Sequence, residues 1–184
     1  DRNMRVVEAD VLVVGGGTAG AVAAIAAARQ GARTIVVEQT GALGGTQTMG
    51  WVTPMMPNYL GDFKLNRGIN LEVIESQSAR QPQVLDGTPH GDVWYDPFGL
   101  AAVLDDLADR AGVTCLFNAT LIEVQKDDRG VIASVEVATR EGRIQLHAKA
   151  FIDATGDGEL GRLAGAELMS GNETGQHQPM TLRF

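Results

Sequence analysis

Apolar residues in this chain fall in two rhythms, and the change from one to the other lays out its elements. Val11-Leu12-Val13-Val14 is apolar at every position, and so is most of Thr34–Val37. Short continuous runs of this kind predict strands buried on both faces, with strand one over Asp10–Val14. Between them lies an alanine-rich stretch, about 19–30, carrying Val22 and Ile25 and ended by Gly31. It predicts a helix that packs closely on a sheet. Ile69, Val73 and Ile74 give helical spacing within 68–80. A further helix is opened by Asp96-Pro97, follows Leu100, Val103, Leu104 and Leu107, and is closed by Gly112. Val113–Phe117 reads as another buried strand. The period then drops to two over Thr120–Gln125, Val131–Thr139 and Gly142–Lys149, with charged, glycine-containing turns between. That predicts a three-stranded meander over about 120–149, placed before a last strand, Ala150–Ala154. Residues 1–9 read as a polar lead-in. Residues 44–66 and 81–92 read as turn-rich loops, since Gly50, Pro54, Pro57 and Gly61 forbid a long regular element in the first. The order of strand, helix and strand gives an α/β fold, Rossmann-like, with a parallel sheet and an inserted meander.

The first strand feeds directly into Gly15-x-Gly17-x-x-Gly20. Gly15 suits a tight strand-to-helix turn. Gly17 leaves room for a pyrophosphate at the main chain, and Gly20 lets helix and strand approach. The N–H groups at the helix start, around Thr18 and Ala19, face the phosphates with the positive end of the helix dipole. Glu38 closes the second strand, where a carboxylate accepts hydrogen bonds from an adenosine ribose and repels a 2′-phosphate. The whole is a dinucleotide-binding pattern, with NADP the least favoured ligand. The glycines alone do not separate FAD from NAD.

Two more segments bear on that choice: Gln39-Thr40-Gly41-Ala42-Leu43-Gly44-Gly45-Thr46, and Phe151-Ile152-Asp153-Ala154-Thr155-Gly156-Asp157-Gly158. With them the chain resembles the FAD-dependent oxidoreductases of the glutathione-reductase-like superfamily. It looks closest to the branch of the fumarate reductase and succinate dehydrogenase flavoproteins. The resemblance covers almost the whole chain and is specific for fold and cofactor, not for substrate. It implies that Gly15, Gly17 and Gly20 hold the pyrophosphate, and Glu38, with Gln39 beside it, the ribose. It implies that Gly44, Gly45 and Thr46 run along the pyrophosphate and ribityl side, with the Thr46 hydroxyl as donor. Leu121 would meet the adenine through its backbone, and Thr155, Gly156 and Asp157 would make a second crossing of the cofactor. Some relatives attach flavin through a histidine near Thr46; threonine there implies noncovalent FAD. The resemblance also places the start of a substrate domain at about 179–184, leaving 1–178 as the FAD-binding domain. The substrate domain is then largely missing, and a second polypeptide or a C-terminal part is expected to supply it.

The 184 residues suffice for one α/β domain with a real core. The formal net charge of −8 and the lack of a basic cluster argue against nucleic acid. No apolar run is long enough to span a membrane and no signal peptide is recognisable, so a cytoplasmic location is expected. The lone cysteine, Cys115, lies in an apolar strand and reads as a packing thiol, which leaves no Cys-x-x-C pair for disulfide chemistry. No metal-ligand spacing is present, so no metal is expected.

The reaction implied is redox at flavin N5, most simply hydride transfer from a small organic substrate. Trp51, Met55, Met56 and Tyr59 either line an apolar pocket beside the ring or fill a contact between domains. His90, in a polar turn, is a candidate base or a surface histidine. His177 and Tyr59 are further catalytic candidates, and His147 alternates outward on its strand and reads as solvated. Rival readings are an NAD-dependent dehydrogenase, a flavin monooxygenase, and a non-catalytic FAD-binding or electron-relay subunit.

Overall fold

The computed structural model describes residues 4–55, 59–60, 63–80 and 93–178. In chain order the elements begin with Arg5–Glu8 (β1), Val11–Val14 (β2), Thr18–Arg29 (α1) and Thr34–Glu38 (β3). Pro54–Met55 (β4), Tyr59–Leu60 (β5), Phe63–Lys64 (β6), Ile69–Arg80 (α2), Val93–Trp94 (β7) and Pro97–Ala111 (α3) follow. Thr114–Phe117 (β8), Thr120–Lys126 (β9), Ile132–Thr139 (β10), Gly142–His147 (β11), Ala150–Asp153 (β12) and Glu159–Leu163 (α4) complete the order.

β12, β2, β3 and β8 form a parallel four-stranded sheet in that spatial order, with Val14 level with Asp153 on one side and Val37 on the other. The continuous apolar runs have a direct cause in this layering. Val13 and Val36 point into a core shared with Ala21, Ala24 and Ile25 of α1 and Leu100, Val103, Leu104 and Leu107 of α3. Leu12, Val14, Ile35 and Val37 point the other way, against Val135, Val137 and Leu146 of the meander. A strand flanked by helices on one face and a second sheet on the other needs apolar residues at every position. The many alanines of α1 serve the same end, because a helix of small side chains lies close to its sheet.

α3 begins where its sequence says. The Asp96 carboxylate accepts from the N–H groups of Phe98 and Gly99, both at 3.2 Å, Pro97 takes the first turn, and Gly112 closes the helix at φ 79°. Surface ion pairs tie α2 to its neighbours, Arg29 to Glu72 at 2.7 Å and Arg80 to Asp106.

Three expectations change. Residues 1–9 are not merely a polar lead-in: Arg5–Glu8 pair in parallel with β11, from Arg5 opposite Ile144 to Glu8 opposite His147. The meander therefore becomes a four-stranded sheet, β1-β11-β10-β9. Four residues with two adjacent valines show no clean alternation; it is the open edge of β11 that recruits them. His147 changes with it, half-buried beside β1 rather than solvated. The loop after Gly44 is broken by a single 3₁₀ turn, Gly45–Gln47, and by two-residue strands. α4 is the one helix among the described residues that the apolar pattern does not signal.

Candidate functional site

The C-terminal ends of β2, β3 and β12 open into one cleft of about 1090 Å³. That slightly exceeds the roughly 300–1,000 Å³ of ordinary small-ligand pockets. It lies where ligands of open parallel sheets bind, outside the carboxyl ends of the strands. Gly15, Gly17, Thr18, Ala19, Glu38, Gln39, Gly45, Thr46, Leu121, Thr155, Gly156 and Asp157 all line it. Stretches from Gly15 at one end of the chain to Asp157 at the other thus meet around one space. Gly20 and Gly44 lie behind this surface, as supports.

Each glycine of the first turn has its own reason. Gly15 sits at φ +94°, and a Cβ there would stand 2.3 Å from the Ala154 carbonyl oxygen. At Gly20 a Cβ would meet the Gly15 carbonyl oxygen at 1.8 Å, so α1 comes as close as a glycine permits. Gly17 differs: the nearest atom to its Cβ position is the Gly45 Cα at 3.9 Å, and the backbone there is open to an approaching group. No side chain caps α1 and its first turn holds no acid, so its N-terminal N–H groups and dipole face the cleft unneutralised.

The second glycine pair locks onto the first turn. Gly17 and Gly44 form a parallel bridge, the Gly44 N–H donates to the Gly16 carbonyl at 2.8 Å, and the Thr18 hydroxyl donates to the Gly44 carbonyl at 3.2 Å. Gly44 and Gly45 both take positive φ, 104° and 55°. The segment beyond is pinned from outside by the Tyr95 hydroxyl, within hydrogen-bonding distance of the Val52 carbonyl at 2.8 Å and the Gln47 carbonyl at 3.1 Å. Burial pushes the Tyr95 phenol up to about 12.

Glu38 is 5% exposed, and both its carboxylate oxygens are engaged: Oε2 by the Gly16 N–H and Oε1 by the Thr40 N–H, each at 2.7 Å. Each oxygen keeps acceptor capacity for a ligand hydroxyl. Gly16 and Thr40 were not singled out from sequence; a Gly-Gly-Gly run hides which glycine holds the acid.

On the far wall, Thr155, Gly156 and Asp157 follow β12. The Thr155 hydroxyl is already occupied, donating to Asp153 Oδ1 at 2.8 Å and accepting from the Glu159 N–H at 2.8 Å. Burial pushes the Asp153 carboxyl up, but hydrogen bonds from the Gly161 and Thr155 N–H groups, the Thr155 hydroxyl and the Leu160 N–H outweigh it and hold the carboxyl below its ordinary range. Asp153, Glu159 and Met49 line the cleft as well; Asp153 stands in the motif read from sequence but without a role there, and Glu159 and Met49 carry no sequence signal. Among the described residues no Lys or Arg side chain lines it. An anion there must be held by backbone N–H groups and the α1 dipole. An open glycine backbone, an uncapped helix start and an engaged buried carboxylate on one elongated cleft fit a dinucleotide.

The candidate bases fare differently. His177 lies on the exposed segment after α4, 3.4 Å from the Ser170 hydroxyl, and does not line the cleft. Tyr59 pairs through its backbone with Lys64 in a two-residue hairpin. His90 and Met56 lie outside the described residues. Met55 packs against the helix-side core, while Trp51 is 54% exposed at φ 56° and meets Phe98 edge-on at 5.5 Å. Cys115 is a packing thiol: burial, then the nearby Asp105 and Asp109 carboxylates, push it up to about 11.

No helix among the described residues is long and apolar enough to cross a membrane. No curated protein sequence matches the chain significantly. In fold it is similar to a geranylgeranyl bacteriochlorophyll reductase-like protein from Thermoplasma acidophilum, with a TM-score of 0.64 and 21% identity, covering 88% of this chain and 43% of that one. It is similar to a flavoprotein/dehydrogenase from Cytophaga hutchinsonii, TM-score 0.64 and 19% identity, covering 91% and 44%. An anhydrotetracycline hydroxylase from Streptomyces rimosus gives 0.63 and 16% identity, covering 90% and 35%. The chain thus spans less than half the length of each of these structures. At such identities the likeness is one of fold. Residues 10–184, however, match the FAD dependent oxidoreductase family along nearly the whole chain. The chain belongs to the FAD-dependent oxidoreductase family, and FAD is its cofactor.

Proposed function

We propose that this chain is the FAD-holding part of a flavin-dependent oxidoreductase that removes a hydride from a small organic substrate. The observation that carries the reading is the single cleft lined by the first glycine turn, Glu38, Gly45-Thr46 and Thr155–Asp157 together. When bound, FAD supplies redox chemistry at its isoalloxazine ring, most simply by accepting a hydride at N5. The protein's residues supply position. Gly17 and the start of α1 offer N–H groups to the pyrophosphate, with Thr18 fixing Gly44 behind them. Glu38, held by Gly16 and Thr40, accepts from the ribose hydroxyls. Thr46 and Leu121 both line the cleft; Thr46 offers its hydroxyl as a donor, and Leu121 meets the adenine through its backbone. Thr155, Gly156 and Asp157 cross the cofactor with their backbone, the Thr155 hydroxyl being taken up within the turn.

The attachment in this reading is noncovalent, because Thr46 stands where some relatives carry a histidine. The branch is that of the fumarate reductase and succinate dehydrogenase flavoproteins, supported by the Asp153–Gly158 segment and the meander placed before β12. Residues 1–178 form the FAD-binding domain, and 179–184 begin a substrate domain supplied by further chain or a second polypeptide, in a cytoplasmic enzyme. The share of each similar structure that this chain spans supports that division. Dehydrogenases and hydroxylases both share the fold, so fold does not choose between hydride removal and oxygen insertion.

An absorbance spectrum and intact mass of the native protein test the reading. Flavin bands whose chromophore is released on denaturation support noncovalent FAD, and a second polypeptide in the mass spectrum supports the separate substrate domain. A colourless protein that fails to take up FAD and binds NAD saturably overturns the reading. NADPH consumption with oxygen uptake would move it to a monooxygenase.

A further inference from the structure

We propose that Asp153 is a positioning residue whose carboxylate sets the shape of the Thr155–Gly158 turn, and through it the affinity for FAD; this rests on the assignment of the cleft to FAD. The entry of the turn lies against Gly15, but its far part has almost nothing to pack against. A Cβ at Gly156 would find no atom within 4 Å, and one at Gly158 would meet only the Leu168 side chain, at 3.5 Å. Both glycines take positive φ, 84° and 70°. A loop with two left-handed glycines and no packing has many conformations open to it. Hydrogen bonds to one side chain remove that freedom. Asp153 Oδ1 accepts from the Thr155 N–H at 3.0 Å and the Thr155 hydroxyl at 2.8 Å, and Oδ2 accepts from the Gly161 N–H at 2.8 Å. The Glu159 N–H donates back to the Thr155 hydroxyl at 2.8 Å and closes the ring. One carboxylate therefore clasps the turn at its entry and at the helix beyond its exit. Between those two points, Thr155, Gly156, Asp157, Gly158 and Glu159 all line the cleft. Asp153 lines the cleft too, but with the Leu160 N–H its carboxylate takes four donors, the capacity Glu38 leaves half unused, so the residue acts through the turn.

The test is FAD affinity of the purified protein after flavin removal, measured by quenching of flavin fluorescence, with unfolding of the flavin-free form followed in parallel. Asp153→Ala is expected to weaken FAD about 30-fold and Asp153→Asn, which keeps one acceptor oxygen, by less. Thr155→Val breaks the same ring from the other side and is expected to weaken FAD about tenfold, while Thr155→Ser restores it. Because the two residues act through one turn, the double variant Asp153→Ala/Thr155→Val loses less than the product of the single losses. Single losses that multiply in the double variant overturn the shared-turn mechanism. Tight FAD binding by the unaltered protein, with Asp153→Ala and Thr155→Val both within twofold of it, overturns the inference and leaves the cofactor reading intact. Failure of the unaltered protein to bind FAD overturns the cofactor reading itself. If Asp153→Ala does not fold, the Thr155→Val and Thr155→Ser pair decides.

Discussion

The cleft is walled by two glycine-bearing turns, both held by hydrogen bonds, that differ in how tightly they are packed. The turn after β2 is crowded: Gly15, Gly16 and Gly20 each lie so close to neighbouring atoms that a single added carbon would collide, at 2.3, 2.8 and 1.8 Å. The turn after β12 is held by hydrogen bonds to Asp153 and has open space around Gly156. Crowding requires glycine at Gly16 and Gly20, crowding and a positive φ together require it at Gly15, and at Gly156 backbone angle alone does. The same substitution should therefore have different consequences at each place.

Gly20→Ala should show the largest effect. Its methyl would stand on the Gly15 carbonyl oxygen and against the Ala154 side chain, and rigid backbone cannot yield as a flexible side chain would. The expected cost is more than about 3 kcal/mol in chemical denaturation. An unchanged midpoint would mean that the first turn is not so tightly packed.

Gly17→Ala separates binding from stability within that same turn. Its backbone, φ −66° and ψ −166°, suits any residue, and the added carbon meets nothing nearer than 3.9 Å. Flavin-free stability is expected to stay within about 1 kcal/mol. FAD affinity is expected to fall about 30-fold, because the methyl occupies the approach to the main chain. Equal FAD affinity in the variant, read by equilibrium dialysis, would remove Gly17 from the cofactor's path.

The two turns also differ in how far they could be read from sequence. The tightly packed turn was legible because crowding leaves a fixed spacing of glycines after an apolar run, and Glu38 closes the next strand. The buried strands and α3, with its Asp96 cap and Gly112 stop, were legible for the same local reason. Asp153 was not, because an acid at a strand end looks like any other until the donors of α4 are brought opposite it. Gly16 was hidden inside a run of three glycines. β1 was missed because its pairing depends on an edge formed some 140 residues later in the chain. What local chemistry dictates could be read; what a distant segment completes could not. The candidate base His177 illustrates the second case, since the chain carries it onto an exposed segment away from the cleft.

Tyr95→Phe extends the comparison to a third cleft segment held by hydrogen bonding. The buried hydroxyl reaches two carbonyls that bracket Gln47–Val52, and removing it leaves them without that donor. The expected cost is about 1.5 kcal/mol. Amide hydrogen exchange at Thr48–Val52 should quicken more than exchange in β2 and β3, whose protection comes from the sheet. A uniform rise across the molecule would mean that the hydroxyl supports the whole fold rather than the segment.

Gly156→Ala should have the smallest effect and is the sharpest counterpart to Gly20→Ala. The chemical change is the same single methyl. At Gly156 it meets no atom within 4 Å, so no collision contributes, and what remains is the strain of an L residue at φ +84°. That strain costs about 1 kcal/mol, because one residue in the left-handed region is disfavoured by roughly this amount. Asp153 should still clasp the turn, as its donors lie on Thr155 and Gly161 rather than on Gly156. Denaturation of the flavin-free protein is the proper readout, since it excludes any contact between the new methyl and the cofactor. A loss of about 1 kcal/mol fits a turn limited by backbone angle. A loss matching that of Gly20→Ala would mean that other parts of the protein pack on Gly156, and the contrast between the two walls would collapse.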